Sequence, residues 1–119
     1  MKKLLIIEDN PDVLANLLLI LEMEGFEVAS VSTGRESILH ARAHSPDLIL
    51  SDISLPDLSG LEILRKLRED SRTTTIPVIV MTAYSDPQLH QDCLAAGALR
   101  IFEKPPDIEE LIDTIHRAT

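Results

Sequence analysis

The chain has 119 residues, 45% hydrophobic and 26% charged. That is the make-up of one globular domain spanning residues 1–119, and it excludes disordered, collagen-like and low-complexity classes. A formal charge of −9 and only three aromatics (Phe26, Tyr84, Phe102) argue against direct nucleic-acid binding, since an acidic surface repels phosphate backbones and offers little to stack on bases.

The opening apolar run, Leu4 to Ile7, ends at Glu8-Asp9-Asn10, too short for a secretory core. The run Leu17 to Leu21 is far below membrane-spanning length. One cysteine, Cys93, excludes an internal disulfide and a cysteine metal site. A soluble, cytoplasmic protein with no membrane partner is expected.

Short apolar β-type runs then alternate with helical patterns along the chain. Strands are predicted near Leu4–Ile7, Val28–Val31, Leu48–Leu50, Val78–Met81 and Leu99–Phe102, and helices near Pro11–Glu24, Gly34–Ala43, Gly60–Glu69, Pro87–Ala96 and Ile108–Arg117. Polar residues with a partner three positions on mark helix starts: Thr33/Glu36, Ser59/Glu62, Ser85/Gln88 and Asp107/Glu110. Pro11 after Asn10 and Pro87 after Asp86 suit first-turn positions, and Gly25 and Gly97 fall where left-handed helix ends are expected. Regular βα alternation with near-continuous apolar strands implies an α/β fold: a parallel sheet covered on both faces, three-layered and doubly wound. Ligands of such sheets sit beyond the carboxyl ends of the strands.

Those ends carry the polar residues. Glu8 and Asp9 follow the first strand, Asp52 the third, Thr82 ends the fourth, and Lys104 follows the fifth. Each alone reads as a helix cap, a loop acid, a strand-end residue or a solvated lysine; the set is another matter, because its members are spread over four different strands and all fall at carboxyl ends. Three convergent carboxylates raise one another's pKa values, a conflict that a divalent cation resolves. All-oxygen ligation selects Mg2+ or Mn2+ over zinc. A carboxylate beside such a cation, with a hydroxyl and a lysine near, suits phosphoryl acceptance, since an aspartate is ionised at neutral pH and needs no general base.

These residues, with the run Asp52-Ile53-Ser54-Leu55-Pro56-Asp57-Leu58-Ser59-Gly60, Thr82-Ala83 and Lys104-Pro105, make the whole chain resemble a response regulator receiver domain of two-component signalling, of the chemotaxis-regulator-like single-domain type. The resemblance implies a flavodoxin-like (βα)5 domain with a five-stranded parallel sheet of order 2-1-3-4-5. It implies Asp52 as phosphoacceptor, Asp9, Asp52 and the Ser54 backbone carbonyl as Mg2+ ligands, and Glu8 acting through a metal-bound water. Thr82 would hydrogen-bond the phosphoryl group, Lys104 would pair with it, and Lys104-Pro105 would be cis. It further implies a phosphoprotein acting as a switch rather than an enzyme, a sensor histidine kinase or histidine phosphotransfer protein as donor, and a downstream protein or a separate output domain as target, reached through the helix 4/strand 5 face.

Two positions depart from the family pattern. Its switch aromatic, three residues before the lysine, is Ile101 here, and Phe102 one residue later points to the opposite face of a strand. Pro106 replaces a hydrophobic residue. Ser54 and Tyr84 occupy positions that tune phosphoryl lifetime in the family. The rival readings are a phosphorylation-independent interaction module and an aspartyl-nucleophile phosphatase; the latter requires an acid two residues past the nucleophile, where this chain has Ser54.

Three further signals are weaker. On the first helix Val13, Leu14, Leu17, Leu18 and Leu21 share one arc and read as core, with Leu19 and Met23 on the other side as scattered exposed apolar residues or a docking patch for a partner helix. His40 and His44 have two-ligand helical spacing but no identifiable third ligand, and read as solvated surface histidines. Cys93 reads as a buried or half-buried helix residue.

Overall fold

The structure, a computed structural model, describes residues 1–83 and 85–119. The elements run β1 (Lys3–Ile7), α1 (Pro11–Met23), β2 (Glu27–Val31), α2 (Gly34–His44), β3 (Leu48–Asp52), α3 (Gly60–Glu69), β4 (Val78–Thr82), α4 (Pro87–Ala95), β5 (Arg100–Glu103) and α5 (Ile108–Ala118). All pairings are parallel and the order is β2-β1-β3-β4-β5, as expected. No helix among the described residues is long and apolar enough to cross a membrane.

Strand alternation sorts the core into two layers. Leu5, Ile7, Ile49, Val78 and Val80 face Ile38 and Ala41 of α2, Ile63, Leu64 and Leu67 of α3 and Cys93 of α4. Leu4, Ile6, Leu48, Leu50, Ile79 and Met81 face Leu17 and Leu21 of α1 and Leu111 and Ile115 of α5. The central strands are therefore apolar on both sides, which is why they read as continuous runs rather than as alternating ones. Val13, Leu14 and Leu18 pack at the margin of the second layer, while Leu19 and Met23 remain 62% and 79% exposed.

Helix ends follow local chemistry. Asn10, Thr33, Ser59 and Asp107 cap α1, α2, α3 and α5, and Ser59 with Glu62 closes a reciprocal capping box. At α4 the expected cap is one residue out: Asp86, not Ser85, accepts from the amides of Gln88 and Leu89, because Pro87 occupies the first helical position. β5 begins at Arg100, one residue later than predicted. Gly25 and Gly97 take positive φ after α1 and α4, whereas α2 ends on Ser45 at φ 46, a left-handed cap that no glycine announces.

Asp70, at the end of α3, accepts from the backbone amide and guanidinium of Arg72 and lies 2.8 Å from Nε of Arg42. The hydrogen bonds from Arg72 hold its carboxyl well below the ordinary aspartate range, with Arg42 adding to the effect. A carboxyl depressed on folding adds stability above its unfolded value of 3.8, and that stability is lost as pH falls. Asp70→Asn is accordingly expected to lower the urea midpoint at neutral pH, with the gap to wild type shrinking steadily below about pH 4.

Candidate functional site

The reversal of strand order lies between β1 and β3, and the candidate residues gather at the carboxyl ends of these two strands and of β4 and β5. Glu8 continues β1, its amide donating to the Val31 carbonyl at 3.1 Å, and Asn10 turns the chain into α1. Asp52 is the last residue of β3 rather than the first of the loop. The β3–α3 loop then folds back: Gly60 donates to the Ile53 carbonyl at 2.7 Å, and Ser54 bridges Ser59. A Cβ at Gly60 would stand 2.8 Å from Ile53 Cα and 2.9 Å from the Asp52 carbonyl oxygen, so α3 can start against β3 only with glycine there. Lys104 is held beside β4 by its amide, which donates to the Thr82 carbonyl at 2.7 Å, and the Lys104-Pro105 bond is cis.

Glu8, Asp9 and Asp52 each offer a carboxylate oxygen within 4.8 Å of the others, and they are the only such group of three or more potential ligands among the described residues. Glu8 and Asp52 are 1% and 8% exposed, while Asp9 is open to solvent. Lys104 Nζ lies 2.6 Å from Glu8 Oε1 and 3.2 Å from Asp52 Oδ2. The other Glu8 oxygen accepts from the amides of Asp9 at 3.1 Å and Asn10 at 3.4 Å, and Asp52 Oδ1 accepts from the Ser54 amide at 3.3 Å. Thr82, the last residue of β4, is 1% exposed.

The charges are in tension. Burial pushes the Glu8 carboxyl up, and its hydrogen-bonded approach to Asp52 adds to this, outweighing the opposing pull of Lys104. Burial pulls the Lys104 ammonium down, but Glu8 and Asp52 together hold it above the ordinary lysine value. Both partners are raised because one ammonium faces two carboxylates: its own charge is favoured, yet it leaves the acids undercompensated. Such a hard, all-oxygen donor set fits Mg2+.

The remaining expectations sort by face. Thr82 and Ile101 share the side of the sheet covered by α4, with Ile101 at the edge of that core layer. Phe102 is buried among the residues under α1 and α5, with the Arg100 guanidinium 4.6 Å from its ring centroid. No aromatic therefore follows Thr82 from position 102. Tyr84 lies outside the described residues. His40 and His44 sit at the opposite end of the sheet, ring centroids 4.5 Å apart, beside Lys3 and Glu27. Cys93 is buried, which pushes its thiol up. An apolar groove of about 400 Å3, bordered by Asn16, Ile20, Pro105, Pro106 and Lys104, opens next to the acid cluster. The sequence reading also missed Asp57, whose carboxylate reaches the start of α2. Its partners are 22 and 23 residues away, so no local pattern signals the contact.

Comparison with known proteins agrees with this geometry. Residues 4–116 match the family described as response regulator receiver domain. The polar-differentiation response regulator DivK of Brucella ovis is 35% identical over 114 residues, covering 96% of this chain and 93% of that protein. The chemotaxis response regulator CheY4 of Vibrio cholerae superimposes with a TM-score of 0.91 at 28% identity, over 100% of this chain and 99% of that one. The receiver domain of sensor histidine kinase PA1611 from Pseudomonas aeruginosa PAO1, solved with a magnesium ion coordinated in its active-site cleft, superimposes with a TM-score of 0.89 at 29% identity, over 98% and 95% of the two chains.

Proposed function

This chain belongs to the response regulator receiver domains, and from that premise we propose that it is a phosphorylation switch in which Asp52 accepts a phosphoryl group from a phosphohistidine. The observation that carries the proposal is the convergence of Glu8, Asp9 and Asp52 with Lys104 at one sheet edge. Asp9, Asp52 and the Ser54 carbonyl would hold Mg2+, with Glu8 acting through a metal-bound water. Bound there, Mg2+ (or Mn2+) supplies positive charge against which a phosphoryl group can be placed.

The chain's own residues do the rest. Asp52, whose Oδ1 accepts from the Ser54 amide, attacks through a carboxylate oxygen; an O–P bond forms as the P–N bond of the donor breaks, its electron pair returning to the imidazole ring. Lys104 exchanges its contact with Asp52 for one with a phosphoryl oxygen while Glu8 keeps it aimed. Thr82, at the end of β4, meets another phosphoryl oxygen. Attack of water at phosphorus later breaks the Asp52 O–P bond, releasing inorganic phosphate and restoring the carboxylate. The protein thus assists its own modification and is not a turnover enzyme.

Moving a two-state population from 1:99 to 99:1 needs about 5.5 kcal/mol, within reach of a few charge-assisted hydrogen bonds at about 1.5–3 kcal/mol each. The α4–β5 face would carry the readout to a downstream protein or an output domain, with Ile101 occupying the place where the family uses an aromatic. A sensor histidine kinase or histidine phosphotransfer protein would approach over α1 and the groove beside Pro105, where Leu19 and Met23 are exposed. The setting would be cytoplasmic.

Incubation with Mg2+ and a small acyl-phosphate donor, read by intact-mass spectrometry, is expected to give one phosphoryl adduct per chain that disappears with a chelator. No adduct, together with no Mg2+ binding by calorimetry, would overturn the reading.

A further inference from the structure

The β3–α3 loop is fastened at its base by the Gly60–Ile53 hydrogen bond and the Ser54–Ser59 bridge. Its far side is fastened elsewhere. Asp57 Oδ1 accepts from the Gly34 amide at 2.8 Å and Oδ2 from the Arg35 amide at 3.0 Å, so one carboxylate takes the first two amides of α2. The same Oδ1 accepts from the Leu58 amide at 2.9 Å, and Arg35 Nε lies 3.9 Å from Oδ2. The Gly34 amide bond is the strongest of the influences that lower the Asp57 carboxyl, consistent with a charge engaged by aligned N–H groups at a helix start. Leu58 seals the joint: a Cβ on Gly34 would come within 2.8 Å of Leu58 Cβ.

α2 already has its own cap, since Thr33 accepts from the Glu36 amide and donates to the Glu36 carboxylate. Asp57 is a second cap arriving from another segment, and such an arrangement restrains the segment that supplies it as much as the helix. That segment runs from Ser54, whose carbonyl the proposed function assigns to the metal.

We propose that Asp57 is a positioning residue for the phosphorylation site: by latching the β3–α3 loop to the amino end of α2, it holds the Ser54 carbonyl and the Asp52 side chain in the arrangement that binds Mg2+. This rests on the receiver reading above. Three full-length proteins separate the outcomes: wild type, Asp57→Ala and Thr33→Ala, each followed by Mg2+ calorimetry, urea unfolding and phosphoryl uptake from a small acyl-phosphate donor. Thr33→Ala weakens the same helix start without touching the loop, and should leave the Mg2+ dissociation constant unchanged. Asp57→Ala should raise that constant about fivefold or more and slow uptake in proportion at sub-saturating Mg2+, with saturating Mg2+ restoring most of the rate; Asp57→Asn, which keeps an acceptor oxygen, should fall between. Equal Mg2+ constants for wild type and Asp57→Ala, or equal weakening by Thr33→Ala, would overturn the latch while leaving the receiver reading intact. A wild type that binds no Mg2+ would instead remove the reading on which the latch rests.

Discussion

Asp52→Asn is expected to abolish the phosphoryl adduct while making the metal-free protein more stable, by about 1 kcal/mol. The loss of chemistry follows from the removal of the only proposed nucleophile, since an amide oxygen cannot form a carboxylic–phosphoric anhydride. The gain in stability follows from the crowding of like charge: three carboxylates lie within 4.8 Å, and burial and Asp52 together push the Glu8 carboxyl up. Removing one charge relieves Glu8 and Asp9, and Lys104 retains its 2.6 Å contact with Glu8. If Asp52 were merely a structural partner for Lys104, its loss would instead destabilise the fold, as breaking a buried pair does by about 3 kcal/mol or more. Urea midpoints measured with and without Mg2+ decide the matter. Added Mg2+ should stabilise wild type by mass action and the variant far less, so the order of stabilities should close or reverse at high Mg2+.

The second large effect belongs to Lys104. Lys104→Met is expected to raise Mg2+ affinity several-fold and yet slow phosphoryl uptake about a hundredfold, the scale of removing one preorganised donor from a developing charge. The opposite signs share one cause. The ammonium lies 2.6 Å from Glu8 and 3.2 Å from Asp52, so it competes with any cation for the same oxygens. Its removal frees those oxygens for metal but leaves the phosphoryl group without its lysine partner. In metal-free buffer the variant should lose about 2 kcal/mol, below the full value for a buried pair because the Lys104 side chain is 20% exposed and partly screened. Mg2+ should recover most of that loss. Metal affinity that falls along with uptake would show Lys104 to be a scaffold for the acid cluster rather than its competitor.

Much of this protein could be read from local pattern. The apolar runs Leu4–Ile7, Leu48–Leu50 and Val78–Met81 announced central strands because both faces of each are covered. Period-two alternation was enough to place Ile101 and Phe102 on opposite faces, and the structure puts them in different core layers. Acids and a lysine just beyond several strands could be assigned to one edge, because parallel strands joined by helices point their carboxyl ends the same way. The one-residue error at α4 also had a local cause: Ser85/Gln88 imitates a capping pair, but Pro87 selects Asp86.

The amino-acid sequence by itself thus determined the layer architecture, the sheet edge at which the acids and the lysine gather and the residue types found there, since each of these follows from periodicity and from the connection rules of parallel strands. The tertiary structure alone decided the through-space partnerships. Lys104 sits closer to Glu8, 96 residues away, than to Asp52. Asp57 caps a helix that begins 23 residues earlier. These pairings depend on how the helices seat against the sheet to within about an ångström. Close packing sets that fit, and a pattern along the chain does not encode it.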